Sequence, residues 1–151
     1  KTAALIAAAA ELGALAAGAP YDVRMHYRAF GHNLGLAFQI RDDVLGIWGE
    51  DAITGKSTLT DIESRKKTLP IIYGLQHSQE LRKAYLDPTT GTTDALTVRI
   101  MLEEKGARWY AEREERRHVK QAIQQLGKAD PQGEAGAALR KMTLQLMGRG
   151  D

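Results

Sequence analysis

A long apolar stripe is the feature that most constrains how this chain can fold. After Pro20, apolar side chains recur every three or four residues as far as Trp48, which is the period of one face of an α-helix. The stripe broadens toward its end, so this helix is predicted to be long and largely buried. Its polar residues in that broad part are Gln39, Arg41, Asp42 and Asp43. Buried polar groups are costly unless they serve each other or a ligand, which makes them candidates for a functional site.

The rest of the sequence also has the pattern of helices separated by turns. An Ala- and Leu-rich helix is predicted from Thr2 to Ala17, with Gly18 and Pro20 as stop signals. A loop is expected from Gly49 to about Thr60. A helix is predicted from Asp61 or Ser64 to Gln76, with Pro70 bending or restarting it, and a short helix from Ser78 to Tyr85. A helix capped by Thr92 or Thr93 is predicted to run through Leu102. The last two predicted helices run from Ala107 to Leu126 and from Pro131 to Met147, the second with Leu139, Met142, Leu144 and Leu146 as its apolar residues. No strand pattern competes, so the prediction is an all-α helical bundle in a single domain over residues 1–151.

Composition and charge exclude several classes of protein. The 151 residues include no cysteine, which excludes disulfides, thiolate catalysis and Cys-ligated zinc. A formal charge of +2 is too small to indicate a nucleic-acid partner. No apolar run reaches the roughly 18 residues of a membrane span, and the Ala-rich opening is a poor signal peptide. A soluble, cytoplasmic protein is therefore expected.

The polar residues at the end of the long helix and after it suggest a ligand. Asp42 and Asp43 repel each other on a mostly apolar helix, so they need a cation, and hard oxygen ligands favour Mg²⁺. Gln39 precedes them by three and four residues, which places its amide on the same helical face. Lys56 and Lys66 add positive charges suited to phosphate oxygens. Each feature alone is more often a solvated helix end or a turn, but together they predict a diphosphate site.

The order of these residues between Gly35 and Pro70 is more specific than any one of them. The chain carries Phe38-Gln39, Asp42-Asp43, Gly55-Lys56, Asp61, Lys66 and Thr68-Leu69-Pro70. This order and spacing resemble the second aspartate-rich region of the trans-isoprenyl (polyprenyl) diphosphate synthase family. The resemblance extends back to Lys1-Thr2, which is similar to the Lys-Thr pair that begins the preceding helix in that family. It implies that the chain is the C-terminal part of the isoprenoid synthase fold.

The resemblance also implies a role for each matching residue. Asp42 and Asp43 would bind Mg²⁺, with Gln39 as their neighbour. Lys1, Lys56 and Lys66 would hold the diphosphate, and Thr2 would assist its ionisation. Phe38 would be the aromatic beside the forming bond, or else an ordinary core phenylalanine. Lys66 and its neighbour Lys67 lie one residue, or about 100° of helix, apart, so both cannot point squarely into one site.

The chain departs from the family pattern in several places. Gly46 stands four residues after Asp42, where the family has a third aspartate. Glu50 replaces an aspartate, and Arg65 replaces a glycine. Family chains are about twice this length and carry a first aspartate-rich motif on an earlier helix. The chain is therefore expected to be part of a roughly twofold longer domain and inactive without the other half.

The implied function is a prenyltransferase in a homodimer. It would condense an allylic prenyl diphosphate with isopentenyl diphosphate, with Mg²⁺ assisting ionisation, to give a trans-polyprenyl diphosphate of C15 to C20 or longer. The alternatives are a class I terpene cyclase or a head-to-head synthase on the same fold, neither of which needs isopentenyl diphosphate, and a plain helical bundle. Gly46 and the lack of a first motif favour a further alternative, a non-catalytic regulatory subunit.

Overall fold

The structure, a computed structural model, describes residues 1–49, 59–86 and 94–147, without the side chains of residues 146 and 147. Eight helices lie in these ranges: α1 (Thr2–Ala16), α2 (Tyr21–Trp48), α3 (Thr60–Glu63), α4 (Leu69–His77), α5 (Gln79–Leu86), α6 (Ala95–Glu104), α7 (Ala107–Ala129) and α8 (Gly133–Met147). The same ranges contain no β-strand, which confirms the all-α prediction. None of the described helices is both long enough and apolar enough to cross a bilayer.

The chain divides into two compact units. The first comprises residues 1–39 and 115–151, and the second comprises residues 40–114. The helices α2 and α7 each contribute residues to both. The expectation of one domain over the whole length stays a prediction.

In the first unit, the predicted stop signals end α1 as the sequence indicates. Gly18 adopts a left-handed φ of 73°, which a residue without a Cβ reaches at no steric cost. Its N–H bonds to the Leu15 carbonyl at 2.9 Å, and the Ala19 N–H bonds to the Ala14 carbonyl at 3.0 Å. This pair of bonds is the Schellman motif, which satisfies the last carbonyls of a helix. Pro20 then accepts from the Arg24 N–H at 3.0 Å and opens α2.

Two glycines of α2 let the backbone of α1 come close. A Cβ added at Gly31 would lie 2.6 Å from the Ile6 carbonyl oxygen, and one at Gly35 would lie 2.5 Å from the Ala3 Cα. No side chain fits at either position, so the Ala-rich α1 packs directly on α2. The buried core of this unit adds Phe30, Leu34, Ala122 and Leu126.

In the second unit, the stretch predicted from Asp61 or Ser64 to Gln76 is two helices. The helix α3 ends at Glu63, and the chain turns at Arg65, whose φ is +51°. The helix α4 restarts at Leu69 with Pro70 in its first turn, where a proline costs no hydrogen bond. The larger core of the unit consists of Ile47, Ile62, Ile71, Leu81, Tyr85, Val98, Leu102 and Ala107.

One finer prediction is wrong. The cap of α6 is Asp94, whose side chain accepts from the Thr97 N–H at 3.2 Å, instead of a threonine at position 92 or 93. On α8, Met142 and Leu144 are 46% and 61% exposed, whereas Thr143 is buried. The Thr143 hydroxyl can be buried because it donates to the Leu139 carbonyl within the helix.

Candidate functional site

One lysine and two aspartates from separate segments form a charged cluster at the predicted site. The Lys66 Nζ lies 2.9 Å from Asp61 Oδ2 and 3.6 Å from Asp43 Oδ1. The Asp43 and Asp61 side chains are only 11% and 15% exposed, whereas the Lys66 side chain is 44% exposed. Two sheltered carboxylates therefore share one ammonium group that is open to solvent on its other side.

Asp43 also caps the helix α4. Its Oδ2 accepts a hydrogen bond from the backbone N–H of Leu69 at 3.2 Å. Thr68, the N-cap residue, makes no capping bond with its own side chain, and its buried hydroxyl has no hydrogen-bond partner in the described part of the chain. A carboxylate at a helix N-terminus is stabilised by the helix dipole. This contact explains how Asp43 can be buried while the adjacent Asp42 is exposed.

The same cluster controls the charge of Lys66. Partial burial acts to lower the pKa of the Lys66 ammonium group. The hydrogen bond and negative charge of Asp61, with the charges of Asp43 and Asp42, outweigh this effect and raise the pKa above its ordinary value. Lys66 is therefore a permanent cation at neutral pH, and its exposed side can meet an anion.

A second pair of contacts fixes the backbone on which Lys66 lies. The Arg65 guanidinium donates to the Tyr85 carbonyl at 2.8 Å, and the Tyr85 hydroxyl donates to the Lys66 carbonyl at 3.2 Å. Burial raises the pKa of the Tyr85 phenol to about 12, with Arg65 opposing the shift and Asp61 adding to it. We call Arg65 and Tyr85 the brace. No sequence pattern indicates Tyr85, because its contacts with Arg65 and Lys66 join residues about twenty positions apart.

Lys66 and Lys67 differ in contacts, as predicted, but the predicted reason is wrong. Both residues lie in the non-helical link between α3 and α4, so the rotation of a helix does not separate them. Both residues are exposed, and Lys66 forms the ion pairs with Asp43 and Asp61. Both residues directly follow the turn at Arg65.

In the first unit, two of the predicted residues meet. The Thr2 hydroxyl donates to the Gln39 side-chain oxygen at 3.1 Å, a contact made possible by the close approach of α1 to α2. Lys1 is exposed. Phe38 is 43% exposed, so its interpretation as an ordinary core residue is wrong. Lys56 lies outside the described residues.

The donor set fits Mg²⁺ bound together with a diphosphate. In the described ranges, no three His, Cys, Asp or Glu side chains are grouped as a preformed metal site. Asp42 offers an exposed carboxylate, and Mg²⁺ is commonly held by one or two carboxylates plus phosphate oxygens and water. A Cβ built at Gly46 of α2 would lie 2.6 Å from Asp61 Oδ2. The carboxylate of Asp61, on α3, therefore occupies the space beside Gly46.

Comparisons with known proteins agree with the resemblance found in the sequence. The profile of the Polyprenyl synthetase family matches residues 1–104. A (2E,6E)-farnesyl diphosphate synthase of Mycobacterium tuberculosis is 41% identical over 99% of this chain and 44% of its own length. The chain therefore belongs to the polyprenyl synthetase family, and it spans less than half the length of this curated relative.

Solved structures agree on the fold. The polyprenyl synthetase of Streptomyces coelicolor A3(2) is 32% identical, with a TM-score of 0.80 over 97% of this chain and 45% of that one. A geranylgeranyl pyrophosphate synthase of Corynebacterium glutamicum, solved with isoprenyl diphosphate and magnesium, is 30% identical, with a TM-score of 0.78 over 91% of this chain and 41% of that one. The chain has the isoprenoid synthase fold, as predicted.

Proposed function

We propose that this chain is the C-terminal half of a polyprenyl diphosphate synthase. The complete protein would condense an allylic prenyl diphosphate with isopentenyl diphosphate, head to tail, to a product of C15 to C20 or longer. The observation that carries the proposal is the Lys66 ammonium between Asp43 and Asp61, next to the exposed Asp42. The membership of the family supports it.

The two adjacent aspartates would have different roles. Asp42 is exposed and would be a direct ligand of Mg²⁺. Asp43 is bound to the α4 N-terminus and to Lys66, so it would orient the lysine in the absence of ligand. When bound, Mg²⁺ would supply positive charge that stabilises the departing diphosphate.

The residues of this chain would then assist each stage of the reaction. The allylic C–O bond breaks and pyrophosphate leaves with the electron pair. Lys66 would turn its ammonium to the leaving oxygens, and Lys1, Thr2 and Lys56 are assigned to the same diphosphate by resemblance. The double bond of isopentenyl diphosphate supplies electrons for the new C–C bond, and a proton passes from that unit to the released pyrophosphate. The half-exposed ring of Phe38 could lie beside the allylic cation, which an aromatic face attracts.

Titration calorimetry with inorganic pyrophosphate and Mg²⁺ tests the binding part of this proposal. The 151-residue chain should bind Mg²⁺ with pyrophosphate, and it should bind Mg²⁺ alone only weakly. The double variant Asp42→Ala with Asp43→Ala should lose the binding, with circular dichroism as the check on folding. Tight binding of Mg²⁺ alone, or unchanged binding in the folded double variant, would contradict the assignment.

Turnover assays test the reaction itself. The 151-residue chain alone should show no synthase activity, and a chain completed with an N-terminal half that carries the first aspartate-rich motif should be active. A product that forms only when isopentenyl diphosphate is present distinguishes a synthase from a terpene cyclase. The cytoplasmic location and homodimeric assembly stay predictions.

A further inference from the structure

We infer that the brace, Arg65 and Tyr85, is a pair of positioning residues that hold the backbone of Lys66 in the conformation that receives the diphosphate. This inference rests on the proposed function and adds to its site two residues that do not themselves touch the ligand. Because the family pattern has a glycine where this chain has Arg65, the resemblance does not imply the brace. It is a feature of this chain.

The backbone at position 65 explains why an arginine there requires a compensating contact. Its φ is +51°, a left-handed conformation that glycine adopts freely and that strains a residue with a Cβ. The Arg65 guanidinium donates to the Tyr85 carbonyl at 2.8 Å. Tyr85 is the penultimate residue of α5, and the carbonyls of a last helical turn lack donors within their own helix. The arginine therefore ties the turn before Lys66 to the end of α5.

The return contact from Tyr85 reaches Lys66 itself. The Tyr85 side chain is buried, and its hydroxyl donates to the Lys66 carbonyl at 3.2 Å. Burial raises the pKa of this phenol to about 12, so the hydroxyl is a donor at neutral pH. The Lys66 N–H donates to the Asp61 carbonyl at 3.0 Å, and the Thr68 N–H donates to the Lys66 carbonyl at 3.1 Å. The peptide groups on both sides of Lys66 are thus held, and its side chain can turn to a phosphate while the backbone stays in place.

A fixed backbone lowers the entropy that this segment loses when Lys66 meets an anion. Ordering a flexible segment on binding reduces affinity, and holding it beforehand in its bound conformation removes that cost. Without the brace, the diphosphate itself would have to order the link between α3 and α4. We therefore expect loss of the brace to weaken diphosphate binding roughly three- to tenfold.

Calorimetry with inorganic pyrophosphate and saturating Mg²⁺ on the 151-residue chain measures this effect. Tyr85→Phe removes the hydroxyl and leaves the ring in the core, and it should raise the dissociation constant of pyrophosphate about three- to tenfold. Tyr73→Phe makes the same change in another tyrosine of the second unit and should bind like the wild type. Circular dichroism checks that each variant folds.

Two comparisons distinguish the positioning of Lys66 from a purely structural role. Arg65→Gly and Arg65→Ala both remove the tie to Tyr85, so they should weaken pyrophosphate binding equally, although glycine relieves the backbone strain and should give the more stable protein. A purely structural role would make affinity follow stability. In a Lys66→Ala background, Tyr85→Phe should change the dissociation constant less than about 1.5-fold, because the group that it positions is absent.

The outcomes also separate this inference from the proposed function. If folded Tyr85→Phe binds like the wild type while Asp42→Ala loses binding, the inference is wrong and the proposed function stands. Affinities that follow stability, or an equal effect of Tyr85→Phe with and without Lys66, would also overturn the inference. Should Tyr85→Phe not fold, or Lys66→Ala bind too weakly to measure, the two Arg65 variants decide alone. If the wild type does not bind pyrophosphate with Mg²⁺, the proposed function fails, and the inference fails with it.

Discussion

Replacing Lys66 by alanine should destabilise the fold, whereas replacing Lys67 should not. The change removes two ion pairs, to Asp61 at 2.9 Å and to Asp43 at 3.6 Å. Exposed ion pairs contribute only about 0.2–1 kcal/mol each to the free energy of unfolding. Because water can reach Lys66, its two ion pairs account for only a small part of the loss. The larger cost is that the buried Asp43 carboxylate loses a cationic partner, and weakening the interactions of a buried charged group costs about 1–3 kcal/mol.

The expected loss for Lys66→Ala is therefore roughly 1–2 kcal/mol, against less than about 0.5 kcal/mol for Lys67→Ala, a surface change. Urea unfolding followed by circular dichroism measures both. Most of the difference should persist in 1 M NaCl, although the Debye length falls to about 3 Å, because salt screens a buried carboxylate such as Asp43 only weakly. Equal unfolding midpoints for the two variants at low salt would refute the argument, because the charge cluster would then add nothing to the stability of the link between α3 and α4.

Two predictions concern the brace. Arg65→Ala should destabilise the chain by about 1–2 kcal/mol, since it removes the bond to the Tyr85 carbonyl and keeps the left-handed φ. Arg65→Gly should be more stable than Arg65→Ala by roughly 0.5–1 kcal/mol, because glycine relieves the backbone strain. If urea unfolding shows the same loss of stability in both variants, the backbone at Arg65 is not strained. The pKa of Tyr85 is raised to about 12 in the folded chain, above about 10 when unfolded, so its contribution is complete below pH 10 and declines as pH rises toward 12. Between pH 8 and pH 11, the free energy of unfolding of Tyr85→Phe should therefore fall less than that of the wild type. An equal fall in the two proteins would contradict this prediction.

The sequence by itself determined the helices and their stop signals. The stripe after Pro20 has a period that only a helix can bury, and the stop at Gly18 depends on local backbone geometry. The pattern from Gly35 to Pro70 also indicated the family, since its order and spacing survive in the linear sequence. These features involve residues close along the chain, so their physics can be read without knowing the fold.

Only the tertiary structure decided which charges meet. Asp42 and Asp43 look alike in the sequence, yet one is exposed and the other caps α4, because the N-terminus of that helix lies beside only one of them. The same holds for Lys66 and Lys67, which follow a turn at Arg65 that the helical pattern did not predict, and of which Lys66 pairs with the aspartates. The contacts of Asp43 with Lys66 and Leu69 join segments that are distant in the sequence, and their energies exist only once those segments have packed together.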